Sequence, residues 1–118
     1  MPENTHHSKS YLQFLTLLKT ARSLPGFADL DPREERLLNL LATVWHANEQ
    51  ITVLQAMSIC ADMSSTTAHR RLKSLRAKGV IDLVNDEIDT RIKYVMPTNR
   101  AFQYFAQNGR CMEEAKAG

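Results

Sequence analysis

One glycine, Gly79, separates two hydrophobic rhythms that no single type of element can satisfy. Before it, Ala68, Leu72 and Leu75 recur at the three-to-four spacing of a helix buried along one side. After it, "VIDLVN" (80–85) and "RIKYVM" (91–96) are rich in β-formers and flank the polar turn "DEIDT". The chain must therefore stop a helix at Gly79, where glycine suits the residue after a C-cap. It then enters a hairpin at once. Pro97 ends the second strand, because it cannot donate to a continuing ladder.

Upstream, the sequence marks helix starts with side chains that satisfy the first free N–H groups. Asp31 is an N-cap, with Pro32 at the first helical position and Glu34 completing a capping box; Leu37, Leu41, Val44 and Trp45 follow on one face to about His46–Asn48. Thr52 with Gln55 is a second capping box, and Val53, Met57, Cys60 and Ala61 are expected on the buried side. "ADMS" is a tight turn, and Ser64 caps a helix over 65–78. Thr98 caps the last helix, which Asn108–Gly109 either ends early or weakens. At the front, residues 1–7 read as frayed and "SKSYLQFLTLLKTAR" (8–22) as a helix, with a loop at Pro25–Gly26. Tyr11, Phe14, Leu15 and Leu18 share a face that Leu12 and Leu17 broaden, an arc wide enough to meet both a core and a second subunit.

The order is helix, helix, helix–turn–helix, hairpin, helix. A helix–turn–helix followed directly by a two-stranded hairpin is a winged helix. The expected fold is mainly α with a small β-hairpin: one winged-helix domain over 1–118, with an N-terminal helix at 8–24, a core at 31–97 and a C-terminal helix at 98–117. At 118 residues the length suits one domain, and an apolar content of 43 % argues against disorder.

Charge is concentrated where the helix meets the wing. Residues 64–79 carry Arg70, Arg71, Lys73, Arg76, Lys78 and no acid, which is +5; the other ten basic residues and thirteen acids give −3, within a net +2. A basic patch on a near-neutral body is either a polyanion site or a solvated helix face. The neighbouring elements favour the first. On a helical wheel, Thr66, Arg70 and Lys73 lie opposite the apolar stripe, with Thr67 and Ser74 on one flank and His69 and Arg76 on the other. Ser64, Ser65, Thr66 and Thr67 are short enough to let the helix start approach base edges in a major groove. Arg70 is long and planar enough to pair with guanine, and Lys73 suits phosphate.

In the wing, Arg91 and Lys93 are expected two residues apart on one strand face. Arg91 beside the turn can enter a narrow minor groove, with Asp89 pairing to hold its guanidinium. Asp86, Glu87 and Asp89 also permit a plain acidic hairpin tip.

From Asp31 to about Phe105 the chain resembles a MarR-type winged-helix regulator, through "MSSTTAHRRLKSLRAKGVIDLV" and the wing "DEIDTRIKYVMPT" with its Asp-x-Arg. That resemblance implies a homodimer, built from its N- and C-terminal helices, that binds a palindromic operator in double-stranded DNA and regulates transcription; a cytoplasmic location is expected by default from "MPENTHHSKS", which lacks a signal-peptide apolar region. It implies that Ser65, Thr66, Thr67, His69 and Arg70 face bases, with Arg91 in the wing. It also implies small aromatic effectors in many members; nothing in the residues identifies one here. The chain is shorter than most members, and Gly109 interrupts the last helix. The other readings are a winged-helix protein-interaction module and a plasmid or phage accessory DNA-binding protein.

No enzyme is expected. The sequence has no GxSxG, HExxH or phosphate-cradling glycine loop. No metal or cofactor is expected: Cys60 and Cys111 are too few for a zinc site or a disulfide framework, and Cys111 has only Arg110 beside it to support a thiolate. No apolar run is long enough to span a bilayer, so no membrane partner is expected.

Overall fold

A computed structural model describes residues 5–23 and 29–117. The elements are α1 (Thr5–Arg22), α2 (Pro32–His46), α3 (Val53–Ile59), α4 (Ser65–Ala77), β1 (Ile81–Asn85), β2 (Lys93–Pro97) and α5 (Asn99–Ala117). They form two compact units, one over residues 29–101 and the other made of α1 and α5 from Phe102 onward. The loop expected at Pro25–Gly26 lies outside the described residues.

In the larger unit the caps form as the local sequence dictates. Asp31 accepts from the backbones of Arg33 and Glu34, while the Glu34 side chain accepts from the Asp31 backbone. Thr52 and Gln55 close the same reciprocal pair at α3. At its other end α2 stops through Asn48, whose φ of 62° is left-handed. Asparagine tolerates that region, and Glu49 N–H reaches back to the Val44 carbonyl as in a Schellman ending.

The helix–turn–helix packs on Leu37, Leu38, Leu41, Ala56, Cys60, Ala68 and Leu75, all nearly inaccessible to solvent. The expectation for α3 is half met. Cys60 is buried and Val53 and Met57 are half-buried, but Ala61 is exposed and Ala56 takes the core position. The helix ends at Ile59, so Ala61 has already left the helical face.

Gly79 terminates α4 at φ +80°, and the chain turns straight into β1. The strands pair antiparallel, with Leu83 opposite Val95 and Asn85 opposite Lys93. The hairpin is tied to the helices at several points. Val95 N–H donates to the Ile51 carbonyl at 2.7 Å, and Thr52 bridges Tyr94. The Trp45 indole donates to the Val95 carbonyl at 3.0 Å. Thr98 donates to the Gly79 carbonyl at 2.6 Å and accepts from Ala101 N–H, which caps α5 and closes the base of the wing.

The smaller unit differs from expectation in two ways. Helix α1 begins at Thr5 rather than Ser8, and α5 runs through Asn108–Gly109 to Ala117 without a break. Among the described residues of α1 only Ala21 is buried. Tyr11, Leu12 and Leu15 on α1, with Phe102 and Met112 on α5, are exposed. Ala21, Tyr104, Cys111 and Ala115 supply what core this unit has.

Candidate nucleic-acid interface

The start of α4 is fixed by Ser64, whose hydroxyl accepts from Thr67 N–H at 3.2 Å and donates to the Thr67 hydroxyl at 2.9 Å. Both side chains therefore hold the first turn in place. Ser65 and Thr66 are exposed and outside that exchange, and Thr67 is half-buried. His69, Arg70 and Lys73 follow, all exposed. Arg70 and Lys73 form no ion pair with any described residue.

His69, Arg70, Lys73 and Arg76 line one open groove of about 560 Å³, floored by Val53, Leu72 and Leu83. Three cations and an imidazole thus share one solvent-facing channel between α4 and β1. Such a channel suits an anionic strand whose sugars can rest on hydrocarbon.

The five cations of the sequence patch do not behave alike. Arg71 is half-buried. Arg76 Nε lies 3.9 Å from Asp82 with both side chains mostly exposed, a weak association. Lys78 is drawn toward α2: its ammonium sits 2.5 Å from Glu34 Oε1, with the side chain still 36 % exposed. Ser74, expected on the outward flank, instead turns to α2 and donates to Glu34 Oε2 at 2.5 Å. Glu34 is the one charged residue among the buried side chains described, at 3 % exposure. Burial pushes its carboxyl up, but the Asp31 N–H, the Lys78 ammonium and the Ser74 hydroxyl together outweigh burial and bring it down to about 2. The same carboxylate raises the Lys78 ammonium above its usual range.

In the wing, Arg91 lies in the turn before β2 rather than on the strand face with Lys93, because the ladder begins only at Lys93. The turn is built around two aspartates. Asp86 accepts from the backbones of Ile88 and Asp89 and from the Tyr94 hydroxyl at 2.9 Å. These bonds, the Asp89 N–H foremost, lower its carboxyl below the ordinary value. Asp89 accepts from Arg91 Nε and Nη2, each at 3.0 Å, a two-pronged pair that lowers the acid and raises the base. The Asp89–Arg91 pairing expected from sequence is present, and the Arg91 side chain is 89 % exposed. Lys93 is also exposed.

The sequence reasoning placed Asp86 only in an acidic hairpin tip, not as the acceptor that builds the turn, and did not single out Tyr94. The aspartate carried a signal, since in an Asx-turn its carboxylate accepts from the backbone N–H two residues on, here that of Ile88. The tyrosine's partner, eight residues away across the hairpin, carried none.

No helix among the described residues is long and apolar enough to cross a membrane. No protein-family model and no curated protein matches the sequence. Solved structures do match its fold. The heme sensor protein PefR from Streptococcus agalactiae, in complex with heme, aligns at 20 % identity over 96 % of this chain and 76 % of its own, with a TM-score of 0.57. A MepR variant from a multidrug-resistant S. aureus clinical isolate aligns at 16 % identity over 97 % and 75 %, with a TM-score of 0.65. The transcriptional regulator Tm0710 from Thermotoga maritima aligns at 12 % over 92 % and 68 %, with a TM-score of 0.60.

Proposed function

The chain has the winged-helix fold of these regulators, and we propose that it shares their general task as a sequence-specific, DNA-binding transcriptional regulator of MarR type. The observation that carries this reading is the outward face of α4, where a capped start of short hydroxyls leads to Arg70 and Lys73, neither neutralised by an acid among the described residues. Uncompensated cations on a rigid helix are arranged for an anion that is not part of the chain.

In this reading α4 enters the major groove. Ser65, Thr66 and His69 approach base edges, Arg70 pairs with guanine, and Lys73 meets phosphate. Ser64 and Thr67 fix the helix start and present their remaining hydrogen-bonding capacity there. Arg91, held by Asp89, reaches a minor groove, and Lys93 meets the backbone beside it.

The protein acts as a homodimer through its smaller unit. Tyr11, Leu12, Leu15, Phe102 and Met112 present hydrocarbon to water on two helices, and a second copy covers it symmetrically. Two copies then read a palindrome whose half-sites lie about one duplex turn, roughly 34–36 Å, apart. The protein works in the cytoplasm and is not an enzyme.

Selection of bound duplexes from a random pool tests the reading. Enrichment of one palindromic motif supports it. Enrichment without a motif makes the chain a non-specific or accessory binder, and no enrichment makes it a protein-interaction module; either overturns it.

A further inference from the structure

Glu34 stands apart from every other charged side chain described, because it is buried and two of its three hydrogen-bond partners lie on another element. Its Oε1 accepts from Asp31 N–H at 3.0 Å and from Lys78 Nζ at 2.5 Å; its Oε2 accepts from Ser74 Oγ at 2.5 Å. Two of these partners sit on α4 or its cap, 40 and 44 residues down the chain, and they are one helical turn apart. The carboxylate lies in the first turn of α2 and the ammonium at the C-cap of α4, so each charge also sits at the helix end whose dipole favours it.

We propose that Glu34 is the positioning residue of the DNA-reading helix, a two-pronged clamp that fixes the rotation of α4 about its own axis. The proposal rests on the reading of α4 as that helix. Ser74 lies one turn beyond Arg70 on the same i, i+4 row, displaced by about 40° around the axis. Any rotation that separates Ser74 from Glu34 therefore swings Arg70 as well. A turn of about 20° carries a guanidinium about 9 Å from the axis through about 3 Å, which is more than a hydrogen bond tolerates.

Apolar packing along Ala68, Leu72 and Leu75 sets the depth of α4 but is non-directional, and Ala68 is small. Hydrogen bonds to two oxygens of one carboxylate are directional. A buried ion pair adds little net stability compared with a well-packed apolar pair, yet its geometry can select one arrangement over near neighbours. The clamp also keeps Lys78 off the groove lined by Arg70 and Lys73, so the cationic face ends at Arg76.

The test uses the full chain, Glu34→Gln and two duplexes, the operator selected by the wild type and a random duplex of equal length. Glutamine keeps the shape and the Asp31 contact, puts an amide NH2 donor where the Ser74 hydroxyl needs an acceptor, and removes the charge that holds Lys78. The expected result is a loss of about tenfold in the preference for operator over random duplex, with random-duplex affinity unchanged or raised by the freed ammonium. Equal losses on both duplexes would mean a merely structural role and overturn the proposal, as would an unchanged preference. Should Glu34→Gln not fold, Ser74→Ala and Lys78→Met each remove one prong outside the capping box, and the same ratio decides. A wild type that binds no duplex would refute the regulator reading itself, whereas a wild type with a clear operator and a variant of equal preference would refute only the clamp.

Discussion

Helices α4 and α1 both expose most of their surface, but what they expose is opposite in kind. Over 13 residues, α4 buries Ala68, Leu72 and Leu75 and turns Arg70 and Lys73 to water. Over 18 residues, α1 buries only Ala21 among those described and turns Tyr11, Leu12 and Leu15 to water. Charge is stable in water, so α4 can wait uncovered for a soluble polyanion and let it go again. Hydrocarbon is not, and covering it stabilises an assembly by about 25 cal/mol per Å² before the costs of association. The difference separates a surface suited to reversible recognition from one suited to lasting pairing.

The comparison breaks most readily at α1. Leu12→Asp with Leu15→Asp should give a monomer by light scattering at micromolar concentration. Operator affinity should fall by about 100-fold or more, since one half-site then binds without its linked neighbour. The far-ultraviolet helix signal of residues 29–101 should survive. A dimer that persists with both substitutions would place the pairing surface elsewhere.

On α4 the expected effects are smaller and differ in kind between neighbours. Arg70→Ala should cost about 1–3 kcal/mol per half-site and relax base choice at one position. Lys73→Ala should weaken all duplexes alike and lower the salt slope by about one. Titration of binding against salt for both variants and several duplexes distinguishes them. Unchanged operator preference in Arg70→Ala would remove Arg70 from the groove.

Acid sharpens the contrast, because only the larger unit contains a buried, paired carboxylate among the residues described. Glu34 has a folded value of about 2 against 4.5 when free, so its contribution is complete above pH 4.5 and is lost as pH falls toward 2. Roughly 1–2 kcal/mol should go in that window, after discounting for the solvent around Lys78. Denaturant melts of wild type and Glu34→Gln should therefore converge as pH drops; parallel curves would mean that the pair does not titrate with folding.

Gly79→Ala should cost about 1 kcal/mol by thermal melting, from backbone strain at φ +80° rather than from a clash, since a new Cβ would meet Arg100 Cδ only at 3.6 Å. Arg91→Ala should have the smallest effect, about two- to fivefold on A·T-rich flanks and less on G·C-rich ones. Equal losses on both flanks would move Arg91 from a minor groove to a phosphate.

Local features of this fold were readable from residues three or four apart. Asp31, Thr52, Ser64 and Thr98 announce helix starts because a cap bonds to a backbone group within its own first turn. Gly79 announces a stop, and the change of hydrophobic period behind it announces the wing. Asp89 and Arg91 are two residues apart, and their pairing could be expected for the same reason. These interactions are short in sequence, so residue types and spacing alone determine them.

What the tertiary structure decided lies at long separation. The capping box accounts for Glu34 fully in the sequence, and only the fold brings Ser74 and Lys78 to its other lone pairs. That removes Ser74 from the flank the helical wheel drew and ties Lys78 of the basic patch to α2. The early end of α3 exchanges Ala61 for Ala56 in the core, and the late start of β2 leaves Arg91 in the turn. The wide arc of α1 pointed to two partners, and only the structure shows that Tyr11, Leu12 and Leu15 of that arc are the exposed ones. Directional bonds between distant segments form only after packing has set their distance, and a carboxylate with one local partner looks the same in sequence whether or not it has two more.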